Sequence, residues 1–176
     1  MVISEVRKHM YLGDAQAAQS PDILRKYSIY GIVSAVDWIQ SVPPTKLCIA
    51  LGVQRIIYPI PDGLFVDPGN ELVEHVFPLI KEYEDASENI LIHCYKGRSR
   101  SASLAITYII WRLLQDPEIT RFPDAYASAF GAALELVMNQ HSIACPHPQT
   151  LRSFLACIER ELPIHYSDLY ATMCHH

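Results

Sequence analysis

A surplus of basic residues is what this sequence most plainly lacks. Its 19 Asp and Glu outnumber its 14 Lys and Arg, for a formal charge of −5 over 176 residues. That balance argues against a general nucleic-acid binder, whose phosphate contacts need an excess of cations. Cysteine is scarce too. Cys48, Cys94, Cys145, Cys157 and Cys174 are too few and too scattered to staple a secreted scaffold, and MVISEVRKHM does not read as a secretory leader. Reduced thiols in a cytoplasmic, or nuclear, setting are therefore expected. The longest apolar run, SASLAITYIIWRLL, is broken by Arg112 and is too short to span a bilayer. Val2 excludes N-myristoylation, and Cys174 stands third from the end where a prenylation box needs it fourth. No stable membrane insertion is expected. Solenoid-length repeats and low-complexity segments are absent as well.

What is present suits one packed unit. Half the residues are apolar, enough for a sizeable core, and we expect one domain over residues 1–165 with a C-terminal tail over 166–176. Short β-branched runs alternate with longer helical patterns. VISEV and HMYLG read as an opening strand pair, with Gly13 and Asp14 as the turn. Ser20-Pro21-Asp22 opens a short helix over DILRKYS, with Pro21 at its first position. Residues 30–36, 55–60 and 89–93 read as buried strands, whereas 37–52 is ambiguous because Pro43-Pro44 breaks any long element. Residues 71–86 carry a helical apolar face despite Pro78, a nearly all-apolar helix follows from 101 to 114, and two more are expected near 123–140 and 147–161. Alternation of strand and helix predicts an α/β fold with a central, mostly parallel sheet of roughly five strands flanked by helices.

One stretch departs from this plain patterning: ILIHCYKGRSRSASLA, residues 90–105. A hydrophobic strand runs into a loop rich in hydrogen-bond donors and then into a helix. In open α/β sheets ligands bind beyond the carboxyl ends of the strands. A helix opening near Ser101 aims its unpaired N–H groups and positive dipole end back at the loop. Gly97 lets the backbone curl into an anion-binding nest, and the Arg100 fork suits two phosphate oxygens. Cys94 lies beneath this cradle, in a field that favours its thiolate, and a thiolate below a bound phosphate is aimed at phosphorus. The Walker A spacing is absent. His93 is no base for Cys94, because neighbours on a strand point to opposite faces. His141, Cys145 and His147 are too few and too poorly spaced to make a zinc site.

The pattern His93-Cys94-x5-Arg100-Ser101 resembles the signature of the cysteine-dependent protein tyrosine phosphatases. Its SRSAS continuation is most similar to the dual-specificity subfamily, of small atypical type. MYLGDAQAAQ near the start and ALELVMNQHSIACPHPQTLRSFL near the end fit the same pattern. The resemblance implies a phosphatase acting on phosphotyrosine and on phosphoserine or phosphothreonine of proteins, without metal or cofactor. It assigns Cys94 as the nucleophile that forms a cysteinyl-phosphate. Arg100 and the backbone N–H groups of Tyr95, Lys96, Gly97, Arg98, Ser99 and Arg100 would hold the phosphate oxygens. Ser101 would stabilise Cys94 as leaving group, and His93 would brace the loop. The general acid of the family lies some thirty residues upstream on the loop after the preceding strand. Asp62, 32 positions before Cys94, fits the strand end; Asp67, 27 before, is the alternative.

The chain departs from the family in four places, one of them the segment DPEITRFPDAYASAFG, residues 116–131, which is longer than the typical connection. Tyr95-Lys96 stands where many members have a small residue before the glycine. Arg98 adds another cation; with Lys96 it is either a solvated loop residue or a mark of a more anionic substrate such as a phosphoinositide. His147 replaces the usual asparagine of the late loop, which leaves one loop-bracing contact open. A phosphate-recognising module with little catalysis is the reading from a different functional class.

Overall fold

The computed structural model describes residues 1–37, 39–61, 70–122 and 124–161. The chain opens with β1 (Ile3–Arg7) and β2 (Met10–Gly13), an antiparallel pair. Their connection is Lys8-His9, with His9 in the left-handed region at φ 67°, and not Gly13-Asp14 as the sequence suggested. Asp14 instead caps the short helix α1 (Ala15–Ala18), accepting from the Ala17 N–H at 2.8 Å. Ser20 and Pro21 open α2 (Pro21–Lys26) as expected. After β3 (Ile29–Ser34) comes a 3-10 turn at Ile39–Ser41. The Pro43-Pro44 break then releases α3 (Thr45–Leu51), which Gly52 ends at φ 66°.

Strand β4 (Gln54–Ile57) is shorter than the apolar run that predicts it. Helix α4 (Phe77–Asp85) is preceded by a π-helical stretch at Leu72–Val76. Pro78 accounts for the irregularity: it has no N–H to give to the preceding turn, and the wider winding lies just ahead of it. Then come β5 (Asn89–His93), α5 (Arg100–Leu113), α6 (Pro117–Thr120), α7 (Ala125–Gln140) and α8 (Pro148–Glu161). The extended DPEITRFPDAYASAFG segment thus holds the one-turn α6 and the start of α7.

The five strands form one sheet in the order β1-β2-β5-β3-β4, with only β1 antiparallel. This is the α/β architecture expected from the sequence. Period-two alternation assigns the faces. Met10, Leu12, Ile90 and Ile92 point into the larger core with α4, α5, α7 and α8; Tyr11 and Leu91 point into a smaller one with Leu24 of α2 and Leu47 and Leu51 of α3. Every residue of α5 from Arg100 to Ile110 is buried, so the helix runs through the interior and leaves little room for its first turn to move. With each fully buried aliphatic side chain contributing about 1.5–3 kcal/mol, this packing fixes the junction between β5 and α5. Among the described residues no helix is long and apolar enough to cross a membrane.

Candidate active site

The junction between β5 and α5 lies at the carboxyl edge of the sheet, at its central strand. Cys94 follows β5 directly and is 3% exposed. Ser101, in the first turn of α5, donates its hydroxyl to Cys94 Sγ at 3.3 Å. Arg100, also buried, starts the helix, and its NH1 group donates to the Ile60 carbonyl at 2.8 Å and to Asp37 Oδ1 at 3.2 Å.

The loop between them is bound from outside by its carbonyl groups. Tyr95 O accepts from the Ala15 N–H at 3.2 Å, Gly97 O from His141 Nε2 at 2.8 Å, and Arg98 O from the Cys145 N–H at 2.8 Å. In a trans peptide the carbonyl and the following N–H point in opposite directions, and no described peptide is cis. Anchoring these three carbonyls outward therefore turns the N–H groups of Lys96, Arg98 and Ser99 inward, toward the space above Cys94. Gly97 makes the curl possible. Its φ is +69°, and a Cβ there would stand 2.8 Å from Gly13 O and 3.1 Å from Asp14 N, so both conformation and contact require glycine.

Above the loop is a pocket of about 310 Å³ lined by Cys94, Lys96, Arg98, Arg100, Cys145 and His147, among others. Tyr95, Lys96 and Arg98 are exposed at its rim, Ser99 is half-buried, and Gly97 is buried against Gly13. The pocket carries three Lys or Arg side chains and no carboxylate among its described lining, on a protein with net charge −5. It is built for an anion.

His93 faces away from the pocket. It is fully buried, with Nε2 2.7 Å from Ser34 Oγ and Nδ1 3.4 Å from the Cys94 carbonyl. Burial pushes its pKa down to about 4, opposed by the contact with that carbonyl, so the ring is neutral near pH 7. At His147 the backbone N–H donates to Ser99 Oγ at 2.9 Å, a brace on the loop that does not depend on the side chain of that residue. His141 takes a structural part: its Nε2 must donate, since Gly97 O can only accept. Its Nδ1 is buried without a partner and burial lowers its pKa. Among the described residues no cluster of three His, Cys, Asp or Glu could hold a metal.

The structure places Cys94, Tyr95, Lys96, Gly97, Arg98, Ser99, Arg100, Ser101 and His93 at the one junction between β5 and α5. Asp62 and Asp67 lie outside the described residues. Asp37, His141, Ser34 and the Gly13-Asp14 junction of β2 and α1 were not read from the sequence as parts of the site. Nothing in their local sequence marks them; each meets the loop only through the fold.

No protein-family model matches the chain. Among curated proteins it is 27% identical over 161 residues to protein-tyrosine-phosphatase MKP1 of Arabidopsis thaliana, covering 89% of this chain and 18% of that protein. It is 29% identical over 140 residues to dual specificity protein phosphatase 12 of Rattus norvegicus, covering 77% of this chain and 38% of that protein. The chain therefore spans less than half the length of either relative. Among solved structures, human DUSP28 superposes with a TM-score of 0.68 at 22% identity, over 90% of this chain and 94% of that one. PTPMT1 in complex with PI(5)P superposes with a TM-score of 0.69 at 16% identity, over 90% and 95%. The fold is the one these structures share.

Proposed function

We propose, from this chain's kinship with the dual-specificity-type, cysteine-dependent phosphatases in sequence and fold, that it hydrolyses phosphate monoesters through a cysteinyl-phosphate intermediate. The substrates are phosphotyrosine and phosphoserine or phosphothreonine in proteins. One observation carries this reading: a buried cysteine, hydrogen-bonded by Ser101 and facing the start of α5, forms the floor of a cationic pocket. Cys94 Sγ attacks phosphorus and the ester oxygen leaves. Arg100 and the inward N–H groups of the loop hold the equatorial oxygens as charge moves onto them, the largest electrostatic contribution such a site makes. Ser101, already donating to the sulfur, stabilises the thiolate again when water displaces it from phosphorus. Asp62, the residue assigned as general acid from the sequence, supplies the proton to the leaving oxygen.

A second reading uses the same chemistry on a phosphoinositide. Lys96 and Arg98 favour it, as exposed cations lining the pocket, as does the likeness to a fold whose PTPMT1 structure holds PI(5)P. Lys96 and Arg98 are the residues that would meet further phosphates on a head group. The deciding experiment is a panel of phosphotyrosine peptides, phosphothreonine peptides and phosphoinositides, assayed with chelator present. Turnover of the peptides with a trapped phosphoenzyme at Cys94 is expected. Turnover of lipids alone transfers the assignment to the second reading, and turnover that chelator abolishes sinks the cysteine mechanism in both.

A further inference from the structure

Three residues beyond the end of β3, Asp37 meets the guanidinium of Arg100 across 63 positions of sequence. Three residues beyond the end of β4, the Ile60 carbonyl meets the same NH1 group. Both acceptors come from the same edge because β3 and β4 are parallel neighbours, next to β5, and leave the sheet side by side. Their continuations are held close: the Ala35 N–H donates to His93 O at 2.8 Å and the Tyr58 N–H to Ser34 O at 2.9 Å. Arg100 thus lies across the carboxyl ends of three strands, clamped by the continuations of β3 and β4.

An NH1 group has two hydrogens. A single acceptor leaves a guanidinium able to swing; two acceptors reaching NH1 from separate segments fix the plane of the fork as well as its position. From this we infer that Asp37 is a positioning residue: it sets the orientation in which the Arg100 fork meets a phosphate. The inference rests on the phosphatase reading above, which makes Arg100 the phosphate-binding side chain.

Two effects of the carboxylate oppose each other. Its charge repels an incoming phosphate, and its grip preorganises the arginine. The side-chain exposures decide between them. Asp37 is 47% exposed, so water screens its repulsion, whereas Arg100 is 6% exposed and makes its contacts where water is largely excluded. Asp37 also adds negative charge that helps to offset the desolvation of the buried guanidinium. Preorganisation wins, and removing the charge of Asp37 weakens phosphate binding.

The test uses Asp37→Asn, which keeps the shape and removes the charge, and Asp37→Glu, which keeps the charge and lengthens the reach. Orthovanadate affinity is measured by calorimetry, kcat/KM on p-nitrophenyl phosphate, and the thermal midpoint alongside. For Asp37→Asn we expect orthovanadate affinity to fall about tenfold and kcat/KM by about ten- to a hundredfold, the range for a misplaced electrostatic contact. Asp37→Glu should regain part of both. Affinity that is unchanged or tighter in Asp37→Asn overturns the inference, and so does a lowered midpoint with unchanged affinity, which marks a merely structural ion pair. Arg100→Lys separates the two levels. If wild type and Arg100→Lys bind orthovanadate equally, the phosphatase reading itself fails; if Arg100→Lys loses affinity and Asp37→Asn does not, only the role of Asp37 falls.

Discussion

At the far end of α5 from the pocket, the Tyr108 hydroxyl donates to Glu84 Oε2 at 2.6 Å. The same carboxylate accepts from Arg7 NH1 at 2.9 and 3.2 Å and has Arg112 Nε 3.5 Å away. Burial, followed by the hydrogen bond to Glu84, pushes the Tyr108 phenol pKa up, so it stays a donor. There, the buried carboxylate of Glu84 on α4 is answered by two partly exposed guanidinium groups and a buried hydroxyl from β1 and α5. At the near end the balance is reversed. The donors of the loop, Arg100 and Ser101 gather around a sulfur and a pocket with no carboxylate among its described lining, and Lys96 and Arg98 form no ion pair among the described residues. One helix therefore carries, at its far end, charges that tie three elements together and, at its near end, donors and exposed cations that line a pocket. Charges that answer one another hold a fold; a cationic pocket at a sheet's carboxyl edge is a place for a ligand.

The comparison breaks most sharply at Cys94. Cys94→Ser should lower kcat by about four orders of magnitude or more, the scale of removing a covalent nucleophile. Orthovanadate binding should persist, because the cradle and Arg100 remain. Residual activity within a hundredfold of wild type would mean that the near end binds phosphate without the sulfur acting on it.

Next in size is the acid. Asp62→Ala should slow hydrolysis of a phosphotyrosine peptide by about two to four orders of magnitude. The loss should shrink for p-nitrophenyl phosphate, whose leaving group needs no proton, and the basic limb of the kcat/KM profile should flatten. Asp67→Ala should leave that leaving-group dependence intact. The reverse pattern moves the acid to Asp67.

At the far end, Glu84→Gln removes the charge that both Arg7 and Arg112 face. We expect a loss of about 3 kcal/mol in urea unfolding, the lower part of the range for breaking a buried ion pair because Arg7 is 35% exposed. Orthovanadate affinity should stay within twofold. A large fall in that affinity would show that the two ends of α5 are coupled rather than independent.

The uneven legibility of the sequence follows the same division. The strand–loop–helix run of residues 93–101 could be singled out because all of it is local: strand, cysteine, glycine, arginine and helix start stand in one run. The strands at 89–93 and 29–34 were legible because β-branched runs flanked by polar residues leave little choice. What holds the loop was hidden. His141 reaches Gly97 over 44 positions, and Asp37 reaches Arg100 over 63, and no spacing rule links residues that only the sheet order brings together. The opening turn was misplaced because Lys8-His9 carries no turn signal, while Gly13 supplies one for a different purpose, the close approach of Gly97. Strand β4 was drawn too long because Tyr58 and Ile60 are as buried as strand residues. Tyr58 keeps one last bond to Ser34 O just past the strand, and Ile60 beyond it turns its carbonyl to Arg100.

The smallest effect we expect sharpens the comparison through pH. His93 belongs to the near end by sequence, yet it is fully buried and held by Ser34 and the Cys94 carbonyl. Its folded pKa of about 4 lies below the unfolded value of 6.5. Between those values the unfolded chain binds a proton that the folded one refuses, so stability rises with pH across that window. The contribution is fully present above about pH 6.5, is lost as pH falls toward 4, and changes no further below it. The gap corresponds to a loss on the order of 3 kcal/mol. His141, whose pKa burial also lowers, adds a slope of the same sign. Urea unfolding of wild type, His93→Asn and His141→Asn between pH 7 and pH 4 separates them. His93→Asn should be less stable at pH 7 but lose clearly less on acidification than wild type, with the residual slope reduced further when His141 is replaced as well. Parallel curves for wild type and His93→Asn would mean that the ring takes up its proton inside the folded protein, and that the β5 end is more open to water than its burial implies.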